Sequence, residues 1–337
     1  MNKPLLSICI PTFNRAELLR GGLQTICEQI KYLEGKVELI ISDNCSQDNS
    51  EEVVNYFSKE TLIRYYKNEN NIGACKNILK LSQEYALGEF TWIIGDDDLI
   101  CHDAIQSLCN ILENNSNYDY FFLNHAYENS SNRSLYINLE NDKIRPNHKR
   151  LLCQDTKNRI LDKWECVIAL SNTVGIYSSI VSHVFRTKFW QDSIININEQ
   201  LPFETFESTF PHTSIAFKNF SGKPIFYVGD PLIIFFVGHQ EWFSENWSKI
   251  VFTHLLNFTD ELERHGIDIH LVDKYRVTIF NQTEINLAQL INNFNNINSD
   301  LFYLYFARYW RYGSAWKLAL RTLLILLIKQ VKKYYSI

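Results

Sequence analysis

Up to about residue 124 this chain alternates short β-type runs with stretches of helical period, and few architectures accept that order. The runs are Leu6 to Ile10, Val37 to Ser42, Ile63 to Tyr66, Phe90 to Ile94 and Tyr118 to Leu123. Between them lie helical patterns at Arg15 to Tyr32, Asn49 to Ser58, Ala74 to Ala86 and Asp103 to Asn114. Repeated βαβ units around a mostly parallel sheet satisfy this order, giving an α/β, Rossmann-like fold with flanking helices. Ligands of such sheets bind outside the carboxyl ends of the strands. The polar motifs fall there: Pro11 to Arg15, Asp43-Asn44, Asn68 to Gly73, and Gly95-Asp96-Asp97-Asp98.

Residues 125–160 are polar and rich in Asn and Lys, and read as a variable surface insertion. Patterning resumes with a helix over Asp162 to Ser171, a short strand at His183 to Arg186 and a helix over Ser208 to Asn219. Two strands follow within Ile225 to Val237, broken at Gly229-Asp230-Pro231. The expected organisation is one α/β domain over residues 1–240 and a helical C-terminal segment over 241–337. In that segment Leu318 to Ile328 is almost wholly apolar, flanked by Arg and Lys and by Trp310, Trp316, Tyr334 and Tyr335. The run is shorter than the roughly 20 residues that span a bilayer. It fits a helix over residues 316–335 lying in a membrane interface, or equally one packed on the protein's own core.

Composition excludes some classes. With 46% hydrophobic and 14% aromatic residues, 337 residues can bury a substantial core. A net charge of -5 supplies no general field for nucleic acid. Eight scattered cysteines without a C-x-x-C pair read as reduced thiols used as small hydrophobes, and the first apolar run is too short for a secretory signal. Both observations predict a cytoplasmic protein.

Chemistry concentrates at residues 96–98, where three carboxylates follow the apolar strand Phe90 to Ile94. Two like charges about 4 Å apart repel by roughly 1 to 4 kcal/mol, depending on the dielectric. A divalent cation relieves that repulsion, and oxygen ligands suit Mg2+ or Mn2+, which share carboxylates with substrate phosphates. The competing reading is a solvated turn in which Asp98 caps a helix beginning near Ile100.

Four segments taken together, Ile10 to Arg15, Ile40 to Asp48, Asn68 to Asn77 and Trp92 to Asp98, resemble family 2 glycosyltransferases of the GT-A fold. The triple-Asp motif resembles the abequosyltransferase-like branch, which serves O-antigen and capsule assembly. The resemblance implies that Pro11, Thr12 and Arg15 line the nucleotide pocket and that Asp43 hydrogen-bonds the base. Asp48 matches a position that caps the next helix. Gly73 permits close backbone approach, and Lys76 and Asn77 on the following helix reach the donor, Lys76 being equally an exposed helix lysine. Asp98 and Asp96 become the metal positions, Asp96 nearer the donor ribose, with Asp97 ambiguous between them. His239 completes the metal or diphosphate site, or is a surface histidine in a loop.

An inverting transferase also needs a general base. The family supplies a carboxylate near a helix start downstream, but its usual Glu-Asp pair is absent from Leu201 to His212. Glu204, Glu207 and His212 are the candidates, Glu207 favoured and His212 next because its ordinary pKa lies near 6.5. The implied activity is transfer of a sugar from a nucleotide diphosphate to a lipid-linked or other glycan acceptor, at the cytoplasmic face of the inner membrane. Two alternatives stand beside it. One is a nucleotidyltransferase, disfavoured because no Gly-rich basic loop follows the first strand. The other is a membrane-associated assembly factor without catalysis.

Overall fold

The computed structural model describes residues 3–33, 35–195, 203–239, 246, 249–285, 309–313, 316–317, 320, 324 and 328. Two compact units emerge, one formed by residues 1–171 and 175–241, the other by 172–174 and 242–337.

The first unit is built on an eight-stranded sheet. Its strands are β1 (Leu6–Thr12), β2 (Val37–Asp43), β3 (Ile63–Lys67), β4 (Phe90–Ile93), β6 (Tyr120–Leu123), β8 (Arg159–Leu161), β9 (His183–Arg186) and β10 (Ile225–Val228). The order is β3-β2-β1-β4-β9-β6-β10-β8. Strands β1 to β4 run parallel, and β6 is parallel to β10. Strand β9 is antiparallel to both β4 and β6 and joins the two parallel halves. A three-stranded sheet completes the unit, in the order β5 (Leu99–Ile100), β11 (Ile233–Val237), β7 (Ala126–Asn129).

Helix α1 (Ala16–Ile30) buries Leu19, Leu23, Ile26 and Ile30, a spacing that keeps one apolar stripe against the sheet. Helix α4 (Ala104–Asn114) does the same with Ile105, Leu108, Cys109 and Leu112. Between them come α2 (Ser50–Phe57) and α3 (Ala74–Lys80), and α3 runs into a π-turn at Leu81–Tyr85. Central strand β1 is buried almost throughout, which explains why all but Ser7 and Thr12 of its residues are apolar. The cysteines lie in this unit as free thiols, all buried except the half-buried Cys45 and Cys166, and burial pushes the Cys27 thiol up to about 12.

The expected insertion at 125–160 carries regular structure. It opens with β7, which pairs in parallel with β11 over Ala126 to Asn129. Helix α5 (Arg133–Ile137) follows, and Ile144, Leu151, Leu152 and Cys153 are buried. Ile144 joins the main core and Tyr136 and Ile137 pack against it, so a few apolar side chains in a polar stretch, with the backbone pairing of β7, order the segment. The two strands expected within 225–237 exist, yet they belong to different sheets, with Asp230-Pro231 at the crossing.

The second unit holds helices Leu256–Arg264 and Ile269–Ile285. They are tied by buried Arg276, which pairs with Asp260 at 2.7 Å and Glu263 at 2.6 Å. Most of the expected interfacial helix at 316–335 lies outside the described residues. No helix among the described residues is long and apolar enough to cross a membrane.

Candidate active site

The sheet sets the site by ending its central strands together. The loop after β1 and the loop after β2 are stitched to one another: Asn14 donates its N–H to Ser46 Oγ at 2.8 Å, and its side-chain oxygen accepts from Gln47 N–H at 2.7 Å. Asn14 and Cys45 both sit at positive φ, which lets the chain reverse sharply over the strand ends. Asp48 closes the arrangement. Its Oδ2 accepts from Ala16 N–H at 2.8 Å, satisfying the start of α1, and its Oδ1 accepts from Ser50 N–H and Oγ at the start of α2. One carboxylate thus caps two helices, and these bonds hold its pKa below the usual value despite opposing desolvation.

Asp43 is fully buried, its Oδ1 accepting from Ser46 N–H at 2.7 Å and its Oδ2 from Tyr65 hydroxyl at 2.6 Å. These bonds pin the second loop at the strand end where the nucleotide base is expected. Asn77 is bonded within the same strand ends. It is buried, accepts from Ser42 Oγ and Asn68 side-chain N–H, and returns a bond to the Ser42 carbonyl. Gly73 stands at φ 84° as the residue before α3, with no heavy atom within 4 Å of where a Cβ would be. Lys76 is half-buried on the first turn of α3, and Pro11 is half-buried at the end of β1.

The acidic turn follows β4 directly. Asp96, Asp97 and Asp98 are each at most 5% exposed, a density of buried carboxylate that water does not relieve. Gly95 makes room for it, since a Cβ there would lie 2.7 Å from Asp97 Oδ1 and 2.8 Å from Asp98 Oδ2. Thr12 donates to Asp96 Oδ2 at 2.8 Å, and Arg15 Nη1 donates to Asp96 Oδ1 at 3.0 Å. The same Arg15 nitrogen lies 3.8 Å from Asp97 Oδ2, and Nη2 donates to the His239 carbonyl. His239 Nδ1 stands 3.5 Å from Asp97 Oδ2. Asp98 turns inward, where its oxygens accept from Gly95 N–H at 3.2 Å and Phe236 N–H at 3.4 Å.

Burial, opposed by Arg15 and reinforced by Asp97, pushes the Asp96 carboxyl up to about 6. Asp98 is pushed well above the ordinary carboxylate range by burial and by Asp97. The turn therefore carries more negative charge than its surroundings balance. Hard carboxylate oxygens with one adjacent imidazole make a donor set that suits Mg2+ or Mn2+. Among the described residues no three such side chains are already drawn together as a cage. That is compatible with an ion that takes most of its ligands from a bound diphosphate.

The structure brings Thr12, Arg15, Asp96, Asp97, Asp98 and His239 together. It does not bring the three base candidates into one environment. Glu204 is exposed, and Glu207 is partly exposed and pairs with Lys218 Nζ at 2.5 Å. His212 is 2% exposed, its ring 4.6 Å from that of His183, and burial pushes its imidazole down to about 3.

Sequence reasoning missed Arg133. On α5, inside the supposed insertion, it is 5% exposed and its Nε donates to the Asp97 carbonyl at 2.8 Å. A lone arginine in a polar stretch carries no signal in the sequence.

The sequence profile of glycosyl transferase family 2 matches residues 7–176, half of the 337-residue chain, and the chain belongs to that family. Abequosyltransferase RfbV of Salmonella typhimurium is 27% identical over 240 residues, covering 68% of this chain and 66% of that protein. The GalNAc(5)-diNAcBac-PP-undecaprenol beta-1,3-glucosyltransferase of Campylobacter jejuni is 32% identical over 133 residues, 39% of this chain and 41% of that one. The chain thus spans less than two thirds of the length of these relatives. S. aureus TarS 1-349 in complex with UDP-GlcNAc shares the fold with a TM-score of 0.58 at 15% identity, covering 89% of this chain and 83% of that one. Mannosyltransferase PcManGT from Pyrobaculum calidifontis, solved with GDP-Man and Mn2+, does so at 0.51 and 14% identity, covering 96% and 88%. The mostly parallel sheet with flanking helices is the GT-A glycosyltransferase fold.

Proposed function

We propose that this chain is an inverting glycosyltransferase that transfers a sugar from a nucleoside diphosphate to a glycan acceptor carried on a lipid. The observation that carries the reading is the buried acidic turn at the end of β4, faced by Thr12, Arg15 and His239. The names of the two relatives, an abequosyltransferase and a transferase acting on a PP-undecaprenol-linked glycan, support a surface-polysaccharide role. Family membership favours glycosyl over nucleotidyl transfer.

In this reading Asp96, Asp98 and His239 hold Mn2+ or Mg2+, with Asp97 beside them. Bound there, the ion acts as a Lewis acid on the departing diphosphate. Thr12 orients Asp96 through its hydroxyl, and Arg15, about a third exposed, lies where its guanidinium can shift from Asp96 to a phosphate oxygen. Pro11 and the backbone around Gly73 form the walls of the nucleotide pocket, with Lys76 at its rim. Asp43 and Asn77 hold those walls in place. Accessible Glu207 or Glu204 takes the acceptor hydroxyl's proton, whereas His212 is sealed in the core.

Membrane contact belongs to the same reading. Trp316, Leu320, Leu324 and Ile328 recur every four residues and are 47% to 63% exposed, in a stretch of sequence that also holds several lysines and arginines. Such a stretch suits the cytoplasmic surface of an anionic inner membrane. A thermal-shift screen of UDP-, GDP- and dTDP-sugars with and without Mn2+ tests the core of the proposal. A selective, Mn2+-dependent rise in melting temperature is expected, and absence of any rise across the panel overturns it.

A further inference from the structure

Resting on the reading of residues 96–98 as a cation and diphosphate site, we infer that Arg133 is the positioning residue that sets the shape of that turn. Its guanidinium forms no ion pair with a carboxylate among the described residues. Instead it spends its donors on main-chain carbonyls: Nε on Asp97 at 2.8 Å and Nη2 on Leu18 at 2.6 Å. One planar fork therefore bolts the acidic turn to the first turn of α1, a task that a flexible ammonium performs poorly. The group also lies 5.9 Å from the ring centroid of Phe236, the residue whose N–H faces Asp98 Oδ1.

The neighbouring helix is shaped around this bolt. At Gly21 a Cβ would stand 2.8 Å from Arg133 Nη2, and at Gly22 it would stand 3.3 Å from the Asp98 carbonyl and 3.4 Å from that of Asp96. Consecutive glycines inside a helix cost about 1 kcal/mol each relative to alanine. Here they let α1 approach both the turn and the arginine that grips it. Arg15 differs from Arg133 in kind. It meets the carboxylates themselves from the open side, whereas Arg133 is 5% exposed and holds the backbone from behind.

Charge and geometry make opposite predictions, which allows a clean test. If Arg133 acted only by its positive charge, removing it would tighten binding of a cation nearby. If it positions the turn, removing it loosens binding, as loss of groups supporting metal ligands typically costs 10–100-fold in affinity. The experiment titrates Mn2+ into the full chain, alone and beside UDP, GDP or dTDP with matched protein-free titrations, following the free-ion signal by electron paramagnetic resonance, for wild type, Arg133→Met, Arg133→Lys and Gly21→Ala. Thermal melts without metal run in parallel. A dissociation constant raised about tenfold or more in Arg133→Met, with Arg133→Lys failing to restore it, is the expected result. Gly21→Ala, which displaces the guanidinium without removing it, is expected to shift the constant in the same direction and carries the test if Arg133→Met does not fold. Folded variants with unchanged or tighter Mn2+ binding overturn the inference while leaving the site intact. Wild type that binds no Mn2+ either alone or beside UDP, GDP or dTDP overturns the site reading itself.

Discussion

Two clusters of ionisable side chains are buried in the first unit, and they are built on opposite principles. The acidic turn at 96–98 is surrounded by donors: Thr12, Arg15, the Gly95 and Phe236 N–H groups, and Arg133 behind it. The second cluster consists of His125, His183 and His212, all fully buried. His125 Nδ1 meets Ser182 Oγ at 2.9 Å, His183 Nδ1 meets the Tyr120 hydroxyl at 2.7 Å, and the His183 and His212 rings are in edge contact. Burial pushes His125 and His212 down to about 3 and His183 well below its ordinary value, so all three stay neutral. One cluster keeps charge inside the protein and supplies a partial answer to it. The other avoids charge and serves packing, and that distinction separates a site from a core.

The largest expected effect breaks the comparison at its acidic side. Asp98→Asn keeps an acceptor for the Gly95 or Phe236 N–H but removes a buried charge whose pKa is raised. Transfer activity is expected to fall roughly 10³-fold, because Lewis-acid stabilisation is worth several kcal/mol. The melting temperature without metal is expected to rise, since a carboxyl with a raised folded pKa weakens the fold at neutral pH. Assays of sugar transfer and calorimetry on the same preparation check both. A stable variant with full activity would mean that the acids are only a capped turn.

The acidic turn was legible in the order of residues alone, because a mostly apolar strand followed at once by three aspartates leaves few benign explanations. The surrounding sheet was legible for the same reason, through the contrast between apolar strands and amphipathic helices such as Leu19-Leu23-Ile26-Ile30. The roles of single polar residues were not. Asp48 is the exception, its capping of the next helix expected and its oxygens accepting from Ala16 and Ser50, but Asp43 and Asn77 look alike in a motif, and only three-dimensional placement shows that their oxygens accept from Ser46, Tyr65, Ser42 and Asn68. Arg133 was hidden for a further reason. Its partners are carbonyl groups, which every residue possesses, so no complementary residue type marks the pair.

The second expected effect concerns the base, where the comparison decides between residue types. A group that accepts a proton from an acceptor hydroxyl must be reachable, and Glu204 and Glu207 are while His212 is not. Loss of a general base costs about 10² to 10⁴-fold. One of Glu204→Gln and Glu207→Gln is expected to lower kcat by at least the smaller figure with the donor's KM little changed. His212→Gln is expected to leave kcat within a few-fold of wild type. A collapse of kcat in a folded His212→Gln variant would move the histidines from the core into the site.

The smallest effect is read in the pH dependence of stability and sharpens the comparison from its neutral side. A histidine held neutral, with a folded pKa near 3 against about 6.5 when unfolded, contributes stability that is complete above pH 6.5 and is lost as pH falls toward 3. The unfolded chain binds the proton that the folded one refuses, at about 1.4 kcal/mol per pH unit for each such imidazole. The acids act in the other direction. Asp96, raised to about 6, binds its proton in the folded state first, so acidification through that range favours the fold. Without metal the acids offset part of the imidazole loss between about pH 6.5 and 4, and His212→Gln is expected to flatten the acid limb by one histidine's share. Added Mn2+ is expected to steepen that limb, because protonation of the acids then displaces the ion. Urea melts at about pH 7, 6 and 5 read all of these slopes, and an unchanged acid limb in His212→Gln would show that this imidazole is protonated within the fold.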